Sequence, residues 1–505
     1  MVTPEPVATR PQRPQPVTLA DLAVRLGVAP PASDVAVTGI CLDSRRVRPG
    51  DLYAALPGAT AHGAAFLPQA VAAGAVAVLT DADGAEAAAA AGLPALVVPR
   101  PREVLGALSA AVYADPAGAM RMIGVTGTQG KTTTTRLLDG GFTAAGIRSA
   151  VIGTVGTRIA GEDVKTALTT PEAPDLHGLF AVMREESVQA CAMEVSSHAL
   201  VMGRVDGVVF DVAVFLNLGR DHLDFHKDVE DYYRAKASLF TPERARLGLS
   251  FVDDEHGRRL AAEATIPMRT LSVAGEADWR AVDLRPRADG TDFTVVTPDG
   301  ARVAAGVPLP GEFNVVNALA AVAAAAEAGF DVAAVARGIA AGAGVPGRLE
   351  RIDAGQDFDV FVDYAHKPDA VEAVLATLRP VTAGRLIIVL GAGGDRDRGK
   401  RPLMGEIAAR LADVVVVTDD NPRTERPAEI RAEVLAGAAG GEAEVTEIGD
   451  RRDAIATVLH NARPGDVVVI AGKGHETGQE INGVVHPFDD REVVRECLAG
   501  LGGPR

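Results

Sequence analysis

The apolar run Met122–Val125 breaks into Gly127-Thr128-Gln129-Gly130 and then into Lys131-Thr132-Thr133, where a helix starts. A buried strand, a glycine turn and a helix in that order restrict the fold more than any bulk property of the chain. They imply a parallel sheet with crossover helices, and the apolar runs Ala190–Val195 and Val208–Leu216 supply further strands for it. Glycines let the backbone wrap an anion, and N–H groups at a helix start donate to its oxygens. In such a loop Lys131 neutralises β/γ-phosphate charge and the Thr132 hydroxyl suits Mg²⁺. The nucleotide-binding candidates are therefore Gly127, Thr128, Gln129, Gly130, Lys131, Thr132 and Thr133. The generic spacing asks for glycine at position 125, where the chain has Val125, so an ordinary glycine-rich turn with an exposed lysine stays open on the residues alone.

The rest of the chain organises around this segment. At roughly 100–200 residues per domain, 505 residues make about three domains. Residues 1–17 are studded with proline and read as a disordered tail. Residues 18–117 form a first unit, starting with a short helix at Thr18–Gly27. Leu52–Thr80 carries no charge, but Pro57, Gly58, Pro68 and Gly74 interrupt it. It reads as a loop, a short helix and a buried strand at Ala75–Leu79, not as a membrane span. The second unit covers 118–346. Asp289-Gly290 and Asp299-Gly300 are hairpin signals, so a small antiparallel sheet is expected between about 268 and 310. In the third unit, 347–505, strand candidates (Phe358–Tyr364, Arg385–Leu390, Asp413–Thr418, Asp466–Ala471) alternate with helix candidates (Pro368–Leu378, Lys400–Leu411, Pro427–Ala438, Arg452–Ala462). That alternation implies a second doubly wound sheet. The fold class is α/β with three domains: a small N-terminal one, a central phosphate-loop domain with a mostly parallel sheet, and a Rossmann-like C-terminal one.

Composition limits partners and setting. There are 50 Lys+Arg against 67 Asp+Glu, a formal charge of −17, and sequence-independent nucleic-acid binding needs clustered cations instead. Cys41, Cys191 and Cys497 are too few and too scattered for a disulfide framework or a metal cluster, which suits a cytoplasmic setting.

Polar clusters recur where strands should end, and ligands of doubly wound sheets sit at the carboxyl ends of strands. Glu194, in Met193-Glu194-Val195-Ser196-Ser197-His198, is placed to hold Mg²⁺ on nucleotide phosphates. Asn217-Leu218-Gly219-Arg220-Asp221-His222-Leu223-Asp224 follows the next strand. In the third unit, Gly391-Ala392-Gly393-Gly394-Asp395-Arg396 has the arginine that pairs with carboxylates. Asp420-Asn421-Pro422-Arg423 and Gly472-Lys473-Gly474-His475-Glu476 follow two more strands. Each alone can be an Asx turn or a helix cap. Together they offer cations and anions, as a zwitterionic amino acid requires. Asp43-Ser44-Arg45 and Leu168-Thr169-Thr170-Pro171 are hydroxyl-bearing loops that bind sugar or phosphate, or cap turns.

The run T-G-T-x-G-K-T, with E-x-S-S at Glu194 and N-x-x-x-D-H-L-D at Asn217, resembles the motifs of the Mur ligase family, which builds the peptide stem of peptidoglycan. The resemblance spans the chain after residue 17. It implies that Glu194 and His222 contact Mg²⁺ and that Lys236 is carbamylated, a modification that needs an unprotonated amine. It also implies that Asn314, Asn317, Arg348, Asp363 and His366 approach the nucleotide. Leu42, Ser44, Thr169, Thr170, Ser196 and Arg204 would contact the UDP-sugar dipeptide, although Met202 and Ala59-Thr60-Ala61 depart from the family pattern. D-N-P-R resembles the fingerprint of the branch that adds meso-diaminopimelate. By that resemblance Arg396, Asp420, Asn421, Pro422, Arg423, Gly472 and Glu476 would hold this amino acid, with Arg423 on its second carboxylate.

The implied activity is ATP-dependent, Mg²⁺-assisted amide formation. Meso-2,6-diaminopimelate would be added to the D-glutamate of UDP-N-acetylmuramoyl-L-alanyl-D-glutamate through an acyl phosphate, by a monomer. Lysine-adding and folylpolyglutamate synthase-like ligases are the near alternatives. A non-catalytic nucleotide-binding module and a small-molecule kinase are the distant ones.

Overall fold

The computed structural model describes residues 9–58, 60–166, 168–219, 221–222, 225–287 and 289–501. Two compact units emerge: Met1–Val282 with Thr294–Ala304 and Val316–Ile339, and Ala340–Arg505 with Asp283–Phe293 and Ala305–Val315.

The first unit contains a four-stranded parallel sheet in sequential order, Gly39–Cys41, Asp51–Ala54, Ala77–Thr80 and Ala95–Val97. Its core joins Leu52, Leu79 and Leu96 to Leu19 and Leu22 of the helix Leu19–Leu26 and to Leu105 and Leu108 of Pro101–Val112. Gly27 ends the first of these helices at φ 67°, the left-handed position that favours glycine. The uncharged stretch expected to fold as loop, helix and strand contains the helix Leu67–Ala72 and the strand Ala77–Thr80. Among the described residues no helix is long and apolar enough to cross a membrane.

One expectation fails here. The segment before residue 18 is tied down from residue 10 onward. Arg10 is buried and pairs with Asp51 at 2.6 Å, the N–H groups of Gln12 and Arg13 donate to Glu185, and Val17–Thr18 pairs with Ala36–Val37. A proline-rich composition disfavours regular structure but does not prevent a chain from being held by side chains. Residues 1–8 of the expected tail lie outside the described residues.

The described residues also form an eleven-stranded sheet. Its order is Glu162–Val164, Thr157–Ile159, Ser149–Ile152, Ala190–Glu194, Arg121–Thr126, Phe210–Phe215, Ala245–Phe251, Met268–Ser272, Trp279–Arg287, Gly290–Val296 and Arg302–Val307. The strand that feeds the glycine turn, Arg121–Thr126, lies between Ala190–Glu194 and Phe210–Phe215, parallel to both. The strands ending at Glu194 and Phe215 therefore flank the turn. The expected hairpin residues are at Asp289-Gly290 and at Thr297–Ala301, where Gly300 has φ 84°. Their strands extend the large sheet and do not make a small sheet of their own. Pairing with Met268–Ser272 covers the edge strand that a separate three-stranded sheet would leave open.

In the second unit six strands run in the order Glu350–Arg351, Asp359–Asp363, Val467–Ala471, Leu386–Leu390, Val414–Val417 and Glu444–Glu447. All pairs but the first are parallel. Alternate residues of the four central strands feed two cores. One packs against the helices Pro368–Leu378, Lys400–Leu411 and Pro427–Ala438, the other against Arg451–Asn461 and Asp490–Leu501. This is the expected doubly wound arrangement. It brings Asp363, Leu390, Val417 and Ala471 to the carboxyl edge, just before the polar clusters. A short hairpin, Gly478–Ile481 with Val484–Pro487, was not foreseen. Its turn is Asn482-Gly483 with φ values of 50° and 76°, the Asn-Gly signal of a two-residue hairpin.

Candidate active site

In the first unit the turn 127–130 leads directly into the helix Lys131–Ala144. Gly130 has φ 86°, and a Cβ there would lie 2.3 Å from the Asn317 Oδ1. Only glycine fits, and Asn317 seats the turn from outside, also accepting from the Thr134 hydroxyl at 3.4 Å. Asn217 supports it from the neighbouring strand end: its Oδ1 accepts from the N–H groups of Thr128 (3.1 Å) and Gln129 (2.9 Å). The Thr128 hydroxyl lies 3.2 Å from that of Tyr232. Lys131 Nζ donates to the carbonyls of Gly127 (2.8 Å) and Thr128 (3.1 Å). Lys236 reaches the same Gly127 carbonyl at 2.9 Å, and its ammonium stands 4.5 Å over the Tyr232 ring. Lys236 is thus not a solvated helical lysine, because it is only 1% exposed. Thr133 is buried one residue further along the helix.

Glu194 is buried beside the turn. Its Oε1 accepts from the Thr132 hydroxyl and from Thr154 N–H, both at 2.8 Å, and its Oε2 is 3.1 Å from the Thr154 hydroxyl. Gly153 makes this possible, since a Cβ there would lie 2.3 Å from Oε1. Thr132 and Glu194 thus present hard oxygen ligands side by side, a set that fits Mg²⁺ completed by phosphate oxygens. His222 has φ 54° and its Nε2 is 3.3 Å from Asp221 Oδ2, with its ring 4.8 Å from that of His198. Among the described residues no three His, Cys, Asp or Glu side chains gather as a metal cluster. Arg220, Leu223 and Asp224 of the same motif lie outside the described residues.

The expected sugar–dipeptide residues fall into two groups. Thr170 Oγ1 donates to the Glu194 carbonyl (2.9 Å) and lies 3.4 Å from Ser196 Oγ, Thr169 reaches Thr154 at 3.1 Å, and Arg204 pairs with Glu172 at 2.8 Å. These four residues converge around the Glu194 strand end. Met202, the departure from the family pattern, places its sulfur 3.4 Å from the Arg204 guanidinium. Ser44 is separate: it is buried and donates to Gln69 at 2.9 Å, next to the half-buried Leu42. Asp43 caps the short 3-10 turn Ser44–Arg46, and Arg46 pairs with Asp175 at 2.8 Å. Thr60 and Ala61 are described, whereas Ala59 lies outside the described residues.

In the second unit Asn314 Nδ2 donates to the Pro310 carbonyl at 2.8 Å. Arg348 lies over the Tyr364 ring at 4.7 Å, and Asp363 accepts from the N–H groups of Leu349 and Ala365, each at 2.7 Å. Burial raises the Asp363 carboxyl, against the opposing pull of Arg348. Burial, with Lys367 and Lys400 nearby, pushes the His366 imidazole down to about 4. His366 Nδ1 lies 2.7 Å from the Tyr364 carbonyl. A carbonyl only accepts, so Nδ1 carries the proton and Nε2 is left as an acceptor.

The three strand-end clusters of this unit meet. Asn421 Nδ2 donates to Glu476 (3.0 Å), while its Oδ1 accepts from Lys473 Nζ and Glu480 N–H, both at 2.9 Å. Lys473 is fully buried and lies 3.4 Å from Asp420 and 3.8 Å from Glu476. Burial works against ionisation of Asp420, yet Lys473 and Arg451 hold its carboxyl below the ordinary value. Burial and repulsion by Asp420 raise Glu476. Gly472 has φ 117° and leaves room for Asp420, whose Oδ2 would lie 2.9 Å from a Cβ. A Cβ on Gly394 would lie 1.9 Å from the Pro422 carbonyl oxygen, so this glycine lets the arginine-bearing turn touch the Asp420–Arg423 loop. Arg423 donates through Nη1 to the Gly394 carbonyl at 2.7 Å. Arg396 is exposed and makes no hydrogen bond or ion pair with the described residues. Lys473 and Glu480 were missed by sequence reasoning. Glu480 was detectable, because it sits on the strand before Asn482-Gly483. Lys473 stands in a strand-end cluster that the sequence shows, but its burial is not local information.

Comparison with known proteins gives matches along most of the chain. Family models match as Mur ligase family, catalytic domain (residues 36–113), Mur ligase middle domain (125–325) and Mur ligase, glutamate ligase domain (347–474). The chain is 57% identical to UDP-N-acetylmuramoyl-L-alanyl-D-glutamate–2,6-diaminopimelate ligase of Streptomyces avermitilis, over 99% of each chain. A solved structure of a ligase with that name is 36% identical and superposes with a TM-score of 0.69, covering 97% of this chain and all of the other. The MurF ligase of Thermotoga maritima in complex with ADP shares the fold at 19% identity, with a TM-score of 0.60 over 92% of this chain and 97% of its own. Identity and coverage at this level settle the family, and the chain belongs to the Mur ligase family.

Proposed function

We propose that this chain is an ATP-dependent amide ligase that adds meso-2,6-diaminopimelate to the D-glutamate of UDP-N-acetylmuramoyl-L-alanyl-D-glutamate, for peptidoglycan precursor synthesis. The observation that carries the reading is the meeting of Asp420, Asn421, Arg423 and Glu476 at one sheet edge. It offers both charges that an amino acid with two zwitterionic centres presents. Relatives named for this reaction support it over the full length.

Three stretches divide the labour in this reading: 18–117 and the Thr170–Arg204 region for the UDP-sugar dipeptide, 118–346 for ATP, and 347–505 for the amino acid. The glycine turn and Lys131 hold the ATP phosphates. Thr132 and Glu194 would hold Mg²⁺, with His222 added by family resemblance, and the ion supplies positive charge to the phosphates when bound. The γ-phosphoryl group passes to the D-glutamate side-chain carboxylate, giving an acyl phosphate and ADP. A neutral amine of diaminopimelate then attacks the acyl carbon, the C–O bond to phosphate breaks, and the amine loses a proton as the amide forms. Lys131 and the helix N–H groups stabilise the charge on the transferring phosphoryl oxygens. Lys236, as its carbamate, would place an anion beside the turn. Arg423 reads the second carboxylate of the amino acid, which lysine lacks.

The test is phosphate release with ATP and UDP-N-acetylmuramoyl-L-alanyl-D-glutamate while the amino acid is varied. Release and tripeptide product are expected with meso-diaminopimelate, and much less with lysine. Equal rates with both would sink the substrate assignment. Phosphate release in the absence of any amine, with a stable phosphorylated product, would favour a kinase.

A further inference from the structure

Arg423 adopts φ +52°, a conformation that a residue with a side chain keeps only where its surroundings fix it. The hairpin Gly478–Ile481/Val484–Pro487 does the fixing. Arg423 N–H donates to the Glu480 carbonyl at 3.0 Å, and the N–H of Asn482 donates to the Arg423 carbonyl at 2.7 Å. The hairpin is anchored in turn, since Glu480 N–H donates to Asn421 and the Gly478 carbonyl accepts from buried Lys473. The guanidinium is held as firmly as the backbone. Its Nη1 donates to the Gly394 carbonyl at 2.7 Å, and its Nε faces Glu480 Oε2 at 3.2 Å. The floor beneath is Gly393, where a Cβ would lie 2.9 Å from Nη1. Among the described residues Nη2 makes neither a hydrogen bond nor an ion pair, on a side chain that is 23% exposed, whereas Nε has the Glu480 carboxylate as its ion-pair partner.

Resting on the proposed function, we propose that Glu480 is a positioning residue for amino-acid recognition. Its carboxylate pairs with the guanidinium on the Nε side, so that Arg423 turns its Nη2 edge to the carboxylate at the second centre of diaminopimelate. A guanidinium free to rotate loses its match to a planar carboxylate. Glu480 thereby supplies specificity without touching the substrate.

The experiment measures KM and kcat for meso-diaminopimelate, lysine and ATP in the wild type, Glu480→Ala, Glu480→Gln, Arg423→Ala and the Glu480→Ala/Arg423→Ala double variant. Glu480→Ala is expected to raise the diaminopimelate KM about tenfold, with kcat within about twofold. Glu480→Gln keeps an acceptor oxygen for Nε and restores that KM to within about threefold. Lysine has no second carboxylate, so its slow use at high concentration stays unchanged in Glu480→Ala, and the preference for diaminopimelate falls. With Arg423 already removed, Glu480→Ala adds nothing. An unchanged ATP KM shows that the variants are folded. Parallel losses with both amino acids, failure of Glu480→Gln to rescue, or a full additional loss in the double variant would each overturn the role of Glu480. A wild-type chain that makes no product with meso-diaminopimelate overturns the substrate reading and this role together.

Discussion

Two glycine-rich turns in this chain share one plan. Each follows a buried parallel strand, Arg121–Thr126 in one sheet and Leu386–Leu390 in the other, and each ends at a helix whose first residue is lysine, Lys131 or Lys400. They differ in length and in what they hold out. The first spans residues 127–130 and exposes backbone. Its own lysine and Lys236 fold back onto the Gly127 carbonyl. The second spans 391–399 and carries Arg396, Arg398 and two aspartates, while Lys400 turns away to the His366 carbonyl at 2.8 Å. A short turn can only wrap a ligand with N–H groups, which suits a phosphate of near-spherical charge. A long turn can carry a planar guanidinium and hold its neighbours by close glycine contacts, which suits an amino acid. In the proposed reading, the same strand–turn–helix unit serves two ligand chemistries according to the number of residues between strand and helix.

The comparison breaks most severely at the lysines. Lys131→Ala should lower kcat by about 10²–10³-fold, the usual cost of removing one charge-stabilising donor from an active site. Lys400→Ala should leave kcat within about tenfold, because that amine serves a carbonyl and the loss is one ordinary buried hydrogen bond. Phosphate release at saturating substrates measures both, and equal losses would mean that the two lysines do the same work. Arg423→Ala comes next. Loss of a charge-assisted pair with a carboxylate should raise the diaminopimelate KM about 30–100-fold while the ATP KM stays constant. A rise in both would deny that the two turns serve different ligands.

The first turn was legible because everything it needs is contiguous. Gly127 to Thr133 appear in one line of sequence, and the strand and helix around them follow from periodicity. The strands and helices of the second unit were legible for the same reason: Pro368–Leu378, Lys400–Leu411 and Pro427–Ala438 stand where the sequence places them. What could not be read was partnership at long separation. Asn217 bonds to residues 88 and 89 positions away, Lys473 to one 52 positions away, and Arg10 to one 41 positions away. A polar residue shows its type in sequence but not the residue that satisfies it. Burial of Lys236 fell to the same limit, because the Tyr232 ring is local while the Gly127 carbonyl is not. The hairpin Gly478–Ile481/Val484–Pro487 is a different case, for its turn signal Asn482-Gly483 is contiguous in the sequence.

Asn217 sharpens the contrast at a smaller scale. Its Oδ1 holds two N–H groups of the first turn in place, whereas the second turn is held by partners from several segments: Asn421 and Glu425 accept from its N–H groups, and Arg401 and Arg423 donate to its carbonyls. Asn217→Ala should raise the ATP KM about tenfold, the value of two neutral hydrogen bonds that order the turn, with no change in the amino-acid KM. Titration of each substrate in steady-state kinetics separates the two. If the ATP KM fell, Asn217 would be competing with phosphate for those N–H groups and not preparing them.

The smallest expected effect is a pH dependence confined to the second site. Glu476 is raised above its ordinary value, chiefly by burial and further by Asp420. In the folded chain it therefore takes up a proton at a higher pH than when unfolded. An ammonium is attracted to the carboxylate and not to the neutral acid, so the diaminopimelate KM should rise by a few-fold as pH falls through the raised value. The ATP KM, measured across the same interval, is the control for an effect confined to the second site. The stability contribution has the opposite direction. A carboxyl raised on folding costs stability once it must ionise, so Glu476 disfavours the folded state above its folded pKa and ceases to do so below the unfolded one. Glu476→Gln should abolish the pH dependence of the amino-acid KM at the acidic end and raise thermal stability slightly at neutral pH. An acidic rise in KM that survives Glu476→Gln would assign it to the substrate's own carboxylates. Repulsion between Asp420 and Glu476, and not the binding of an ammonium, would then be the reason the pair is held so close to Lys473.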